Sequence, residues 1–581
     1  MYPDLLRKQI PIPEMSDNNS GTSKNWSFLS VPLQSLALRA ALPALFSFFL
    51  LLSCDSKIPV ISSIDPKIGR MGDVITITGK NFGASREESH VTIAGISPTN
   101  SSYYLWEDSL IMVRIPEFGE SGLIYVNTKG GKSNGVLFSN SASVPRPVDG
   151  EELGLAPKII SVNPQTGAPG TIITITGSNF GISQEGSLSS ALNDAGVFFS
   201  WDYKSASFNP YIVREPEYIE VSQTEFGYVS WNTREIQVRV PDGAISGNIE
   251  IRTPHGKSRP VSFNTGGKPG VKNFTDKRSY TVSYSVDIRV LEAARPNTLY
   301  LWIPMPVNSP SQRNVTLVSR NTEPFLENYK GVSLFKLENL PAGSRQPVNL
   351  SFNVDIYSVE TEINPISVKQ EKTPLSAAYT QASALIPAAI PQVKTTVNTV
   401  TGRELNPYIK AKLLYNWIIE NIQITETPVL ISGNIAAAIE QKQADPYTAA
   451  LLYTALARAA GIPCIPAAGV LIDRYGQTTR HYWAEFWIDY FGWIPVDPAM
   501  GAGAISSGRE NAADFYFGNM DNQRITFSRG EVILSQMESK GRSVSHPQSY
   551  SLQNLWEEAS GGLDSYTSLW GDITISGIYV Q

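Results

Sequence analysis

Two hydrophobic rhythms divide the chain. In "SYTVSYSVDIRV" the residues Tyr280, Val282, Tyr284, Val286, Ile288 and Val290 recur every second position, and "VNLSFNVDI" repeats the pattern with Val348, Leu350, Phe352, Val354 and Ile356. A period of two places them on one face of a strand, so this region reads as sheet with a buried side. After about residue 400 the spacing becomes helical. "LNPYIKAKLLYNWIIENI" predicts a helix with Asn406 as cap, Pro407 at the first position, and Ile409, Leu413 and Trp417 turned to a core. "QKQADPYTAALLYTALARAAGIPC" has the same grammar. Asp445 caps, Pro446 takes the first position, Ala449, Leu452, Tyr453, Leu456 and Ala460 share a face, and Gly461 with Pro463 ends the helix. "HYWAEFWIDYFGWIPVDPA" then reads as two strands joined by a turn at Tyr490 to Gly492, a hairpin that sets His481 nearly opposite Asp497.

The alternation also repeats at long range. "PVISSIDPKIGRMGDVITITGKNFG" (59–83) returns as "PKIISVNPQTGAPGTIITITGSNFG" (157–181), with 14 of 25 positions identical at an offset of 98. Each copy carries an alternating strand and a Gly-x-Asn-Phe-Gly turn, whose glycines and asparagine tolerate positive φ. Each closes alike, Pro116 matching Pro241 and Phe138 matching Phe263 at an offset of 125, so the second copy is longer by 125 − 98 = 27 residues. The repeats resemble the IPT/TIG family of immunoglobulin-like sandwiches. That resemblance implies two all-β modules, at 58–140 and 157–265, that act as a stalk or as binding units and carry no chemistry of their own. The extra residues fall within 183–231, which is dense in Trp, Tyr and Phe. They read as an enlarged core, or as an aromatic ligand surface of an adhesin.

The N-terminus adds a location. "AALPALFSFFLLLSC" ends at Cys54 and is an apolar run of about 14 residues, too short for the roughly 20 that span a bilayer. It suits a signal peptide over 1–53. Its ending resembles a bacterial lipobox, which implies a lipid on Cys54 and a protein held at the cell envelope, facing the periplasm or the exterior. A formal charge of −6 and a pI near 5.5 leave no basic footprint for nucleic acid. Cys54 and Cys464 are the two cysteines, so a lipidated Cys54 leaves no disulfide framework. The four histidines, His90, His255, His481 and His546, have no metal-ligand spacing, and neither metal nor cofactor is expected.

Within residues 400–530, "ALARAAGIP", "HYWAEFWI" and "GWIPVDP" resemble the transglutaminase-like superfamily, and residues 271–365 resemble the β-domain that precedes its bacterial cores. The expected fold class is therefore multidomain: two sandwiches, a third β-sandwich-like domain, and an α+β papain-like core, followed by an extension at 531–581 whose "DITISGIYV" reads as a last strand. The resemblance implies a Cys-His-Asp triad that attacks amide carbonyls. His481 and Asp497 match the second and third members, but Pro446 stands where the cysteine belongs. Proline supplies no thiol, and no backbone N–H for the oxyanion. Cys464 lies eighteen residues on, more than about 20 Å away at roughly 1.5 Å per helical residue. Tyr447 and Thr448 are nearer, but a hydroxyl without a matched base is a poor nucleophile. The expectation is an inactive envelope protein that binds or scaffolds an envelope or extracellular polypeptide or a peptidoglycan peptide. The alternatives are an active amide acyltransferase or peptidase with an unidentified nucleophile beside His481 and Asp497, and an adhesin acting through the second sandwich.

Overall fold

The computed structural model describes residues 58–580 apart from 71, 117–121, 141–154, 182–195, 205–216, 223–224 and 539–540. Cys54, the expected signal peptide and much of the aromatic-rich segment of the second repeat lie outside the described residues. Among the described residues no helix is long and apolar enough to cross a membrane.

Each repeat is a pair of facing sheets. In the first, Val60–Asp65, Val74–Lys80, Leu110–Arg114 and Tyr103–Trp106 form one sheet, and its partner contains Val136–Asn140, Gly122–Thr128 and His90–Ile93. The second repeats the first sheet as Lys158–Asn163, Ile172–Ser178, Glu235–Arg239 and Tyr228–Trp231. The alternating "ITIT" strands put Ile75 and Ile77, and equally Ile173 and Ile175, into the two cores. The shared turn has a steric origin. Asn81 and Asn179 both sit at φ 63°. A Cβ at Gly79 or Gly177 would come within 2.1 or 2.0 Å of the carbonyl oxygen of Val60 or Lys158, so only glycine allows the first strand this close.

The third domain is built on two long paired strands, β1 (Gly270–Glu292) and β2 (Arg345–Ile363). Their alternating stripes, Tyr280 to Val290 and Val348 to Ile356, are buried in one cluster. The helical part of the core includes Pro391–Thr401, which buries Val393 and Val397, together with α1 (Pro407–Asn421) and α2 (Pro446–Ala459). It continues with a sheet of order β5-β4-β3-β6, made of β3 (Cys464–Ile472), β4 (Thr478–Ile488), β5 (Gly492–Val496) and β6 (Arg524–Arg529), with the short helix α3 (Pro498–Gly501) after β5. The even positions of β4, Ala484, Phe486 and Ile488, meet Leu452, Tyr453 and Leu456 of α2. The odd positions face the other way, Trp483 toward the second sandwich and β2.

Helix α1 corrects the expected stripe. Asn406 caps it through the N–H groups of Tyr408 and Ile409, as read, but the buried positions are Ala411, Leu414, Tyr415 and Ile418. Residues four apart drift about 40° round a helix at each step, whereas the set i, i+3, i+4, i+7 stays on one face. Ile409 and Leu413 are left half-exposed, lining an open groove with Ile363, Pro365 and Tyr408.

Two further departures concern the ends of the chain. Residues 531–580 return to the third domain rather than extending beyond it: β7 (Glu557–Ala559) pairs with Thr298–Pro304, and β8 (Ser565–Trp570) and β9 (Thr574–Val580) both pair with β1. The sandwiches, for their part, are not a free stalk. Leu123 and Leu137 of the first pack with Trp302, Leu326, Val332 and Leu534. The second sets Trp201 against Phe274 and Tyr357 at 5.3 and 4.9 Å between ring centroids. Its Asp242 accepts from Lys272 Nζ at 2.5 Å and from the Trp493 amide at 3.2 Å. Glu225 accepts from Trp493 Nε1 at 3.0 Å and pairs with Arg529, which also holds Glu485 at 2.6 Å. Exposing these apolar surfaces, and separating buried charges from their partners, would cost free energy, which favours the docked arrangement.

Candidate functional site

The first turn of α2 is built around Asp445. Its Oδ1 accepts the Thr448 amide at 2.8 Å, and its Oδ2 accepts the Ser432 hydroxyl and the Val429 amide, the latter at 3.4 Å. A carboxylate in this position satisfies N–H groups that the helix cannot, and complements its positive end. Pro446 follows as the first helical residue, and it is buried. The N–H that proline lacks is one of those with no intrahelical partner, so the substitution is free of cost to the helix.

The start of α2 lies against the His481 end of β4: the rings of Tyr447 and Tyr482, the residues that follow Pro446 and His481, are 4.9 Å apart. In the hairpin Ala484 pairs with Val496, which places Asp497 one step beyond the strand and on the face of His481. His481 Nε2 donates to Asp497 Oδ2 at 2.6 Å, and neither side chain is exposed. The other carboxylate oxygen, Oδ1, accepts the Met500 amide at 3.0 Å and so caps α3. The other ring nitrogen is Nδ1. That atom is buried and makes no hydrogen bond.

Arg524 of β6 completes the unit and was not singled out from sequence. Its Nη1 donates to Asp497 Oδ2 at 2.8 Å and its Nη2 to Asp521 Oδ2 at 2.9 Å. Burial works to raise the pKa of Asp497, but His481 and Arg524 outweigh it and hold the carboxyl below its ordinary value. Asp521 follows the same pattern: burial opposes ionisation, and Arg524 still pulls the carboxyl down to about 2. The one sequence signal was an Asp and an Arg three residues apart at the head of a strand, which local reading assigns to a solvated pair.

Substitute nucleophiles are poorly placed. Cys464 starts β3 at the far end of α2, fully buried, and burial pushes its thiol up to about 12. The thiolate needed for attack is therefore negligible near neutrality. Thr448 Oγ1 is buried and accepts the Gly433 amide at 2.8 Å. Burial, reinforced by Asp445 and Glu531, raises Tyr447 to about 12, which keeps its hydroxyl protonated. Among the described residues no group of three or more His, Cys, Asp or Glu side chains is placed to hold a metal ion.

Residues 394–498, which contain Pro446, His481 and Asp497, match the transglutaminase-like superfamily, and residues 59–142 and 157–284 match the IPT/TIG domain. An uncharacterized protein from Haemophilus influenzae is 23% identical over 308 residues, 44% of this chain and 80% of that one. Among solved structures, one from Cytophaga hutchinsonii, described as a candidate cysteine protease, covers 54% of this chain and 92% of its own at 14% identity, with a TM-score of 0.32. The periplasmic domain of TgpA from Pseudomonas aeruginosa covers 40% of this chain and 92% of its own at 13% identity, with a TM-score of 0.23.

Proposed function

Starting from a chain that carries two IPT/TIG domains followed by a transglutaminase-like domain, we propose that it is a catalytically inactive lipoprotein of the bacterial cell envelope. It is anchored through lipid on Cys54, and it binds or scaffolds an envelope polypeptide or peptidoglycan peptide. The observation that carries the reading is Pro446 at the first position of α2. The side chain has no thiol for His481 to activate. The backbone has no N–H to hold an oxyanion, a donor whose loss alone costs about 2.7–4 kcal/mol of transition-state stabilisation. What remains, His481 oriented by Asp497 and Arg524, has become part of the packing. Two docked sandwiches and the core give a large, rigid surface suited to holding partners rather than turning them over. The test is crosslinking of the lipidated protein in envelope preparations, with pull-down and peptide identification. Reproducible capture of an envelope polypeptide or muropeptide is expected, and capture of nothing beyond background would remove the binding role.

A further inference from the structure

The loss of the nucleophile is accompanied by a second closure that nothing in the core's motifs announces. Between strand Arg542–Val544 and β7 the chain crosses back over the transglutaminase-like core, and Ser549, Tyr550, Ser551, Leu552 and Gln553 are all buried. The segment is held by backbone hydrogen bonds and by one buried apolar side chain, as a bound peptide would be. Tyr482 donates its hydroxyl to the Ser549 carbonyl at 2.8 Å, the Leu552 amide donates to Ser528 Oγ at 2.9 Å, and the Leu552 carbonyl accepts the Val532 amide at 3.2 Å. The Leu552 side chain fills an apolar pocket made by Ala450, Ala468 and Tyr482, with Tyr447 and Leu385 at its edge. The Tyr550 ring packs 5.0 Å from Phe527 and 5.6 Å from Trp556, which fixes the segment from beneath.

The helical repeat shows what this pocket covers. Position 450 lies one turn beyond position 446 on the same face of α2, so the face that bears Pro446 is the face under Leu552. We propose that residues 549–552 are a built-in occupant of the cleft at the start of α2, closing it to external polypeptide independently of what residue stands at 446. The proposal rests on the reading of the core as an inactive amide-processing fold, and it adds that partners are met on other surfaces. Tyr550 and Leu552 are both buried, so the segment is a fixed plug rather than a mobile lid.

A thiol introduced by Pro446→Cys reports on the cleft without requiring turnover. The full-length protein is treated with a maleimide-tagged decapeptide and with iodoacetamide, and labelling is quantified site by site by peptide mapping. Cys464 serves as an internal gauge of global opening. Peptide-maleimide labelling at position 446 is expected to be at least tenfold faster in the double variant Pro446→Cys, Leu552→Gly than in Pro446→Cys alone, with Cys464 unlabelled in both. Pro446→Cys combined with Tyr482→Phe, which removes only the hydroxyl that grips Ser549, is expected to show a smaller rise of the same sign and keeps the test informative if Leu552→Gly unfolds. Fast labelling in Pro446→Cys alone, or no acceleration in either folded double variant, overturns the proposal. Native turnover would defeat the inactive reading instead and leaves the labelling result separate.

Discussion

Arg524 and His481 converge on one oxygen of Asp497, at 2.8 and 2.6 Å, in a site where none of the three is more than 4% exposed at its side chain. The carboxylate thus has two donors on Oδ2 and the Met500 amide on Oδ1, while the guanidinium bridges to Asp521. A buried ion pair is weak evidence of net stability, but removing one member leaves the others charged and unmatched.

Arg524→Ala is therefore expected to destabilise the protein by about 3–5 kcal/mol, the range for breaking a buried pair. His481→Ala should cost less, because Arg524 continues to satisfy Asp497. Denaturant unfolding of the two variants checks the order. A larger loss for His481→Ala would show that the imidazole, not the guanidinium, anchors the carboxylate.

Acid should dismantle the same unit. Both Asp497 and Asp521 have folded-state values below the ordinary 3.8, Asp521 down to about 2. A depressed carboxyl contributes stability that is fully present above the unfolded value and is lost as pH falls through the folded one. For Asp521 this amounts to about 2–3 kcal/mol. Stability is expected to fall from about pH 4 toward pH 2, with a shallower fall in Asp521→Asn measured against its own neutral-pH value. Identical slopes for the two proteins would contradict the assignment.

The contact of the second sandwich with the core is testable by a double-mutant cycle on Glu225 and Arg529. Glu225 is partly exposed, so its coupling to Arg529 is expected near 1–2 kcal/mol rather than at the upper end for buried pairs. Arg529→Met alone should cost more than Glu225→Gln, since it also abandons Glu485, held at 2.6 Å. A coupling near zero would mean that the sandwich is held by apolar contacts such as Trp201 with Tyr357.

Local grammar carried much of this structure. The caps at Asn406 and Asp445, the hairpin that joins His481 to Asp497, and the buried stripes of β1 and β2 all depend on residues a few positions apart, where turn chemistry and periodicity act directly. What stayed illegible depends on distant partners. Arg529 meets Glu225 across 304 positions, and Trp302 Nε1 donates to Glu558 across 256. No periodicity links such pairs, so the docking of the sandwiches and the return of the C-terminal strands had no local sign. Arg524 was hidden for a related reason: Asp497 is 27 positions away, and a strand arginine near an aspartate reads as a surface pair. The same limit explains the segment at 549–552, whose partner Tyr482 is 67 positions away.

Pro446 is proposed to leave the transglutaminase-like core without chemistry. The most direct measurement is turnover by the purified native protein, followed as incorporation of a labelled primary amine into glutamine-bearing polypeptide and as hydrolysis of peptide amides. Background rates indistinguishable from those of His481→Ala are predicted in both assays. Turnover above background that disappears in His481→Ala, with the variant still folded, would show that another residue supplies the nucleophile and would contradict the account.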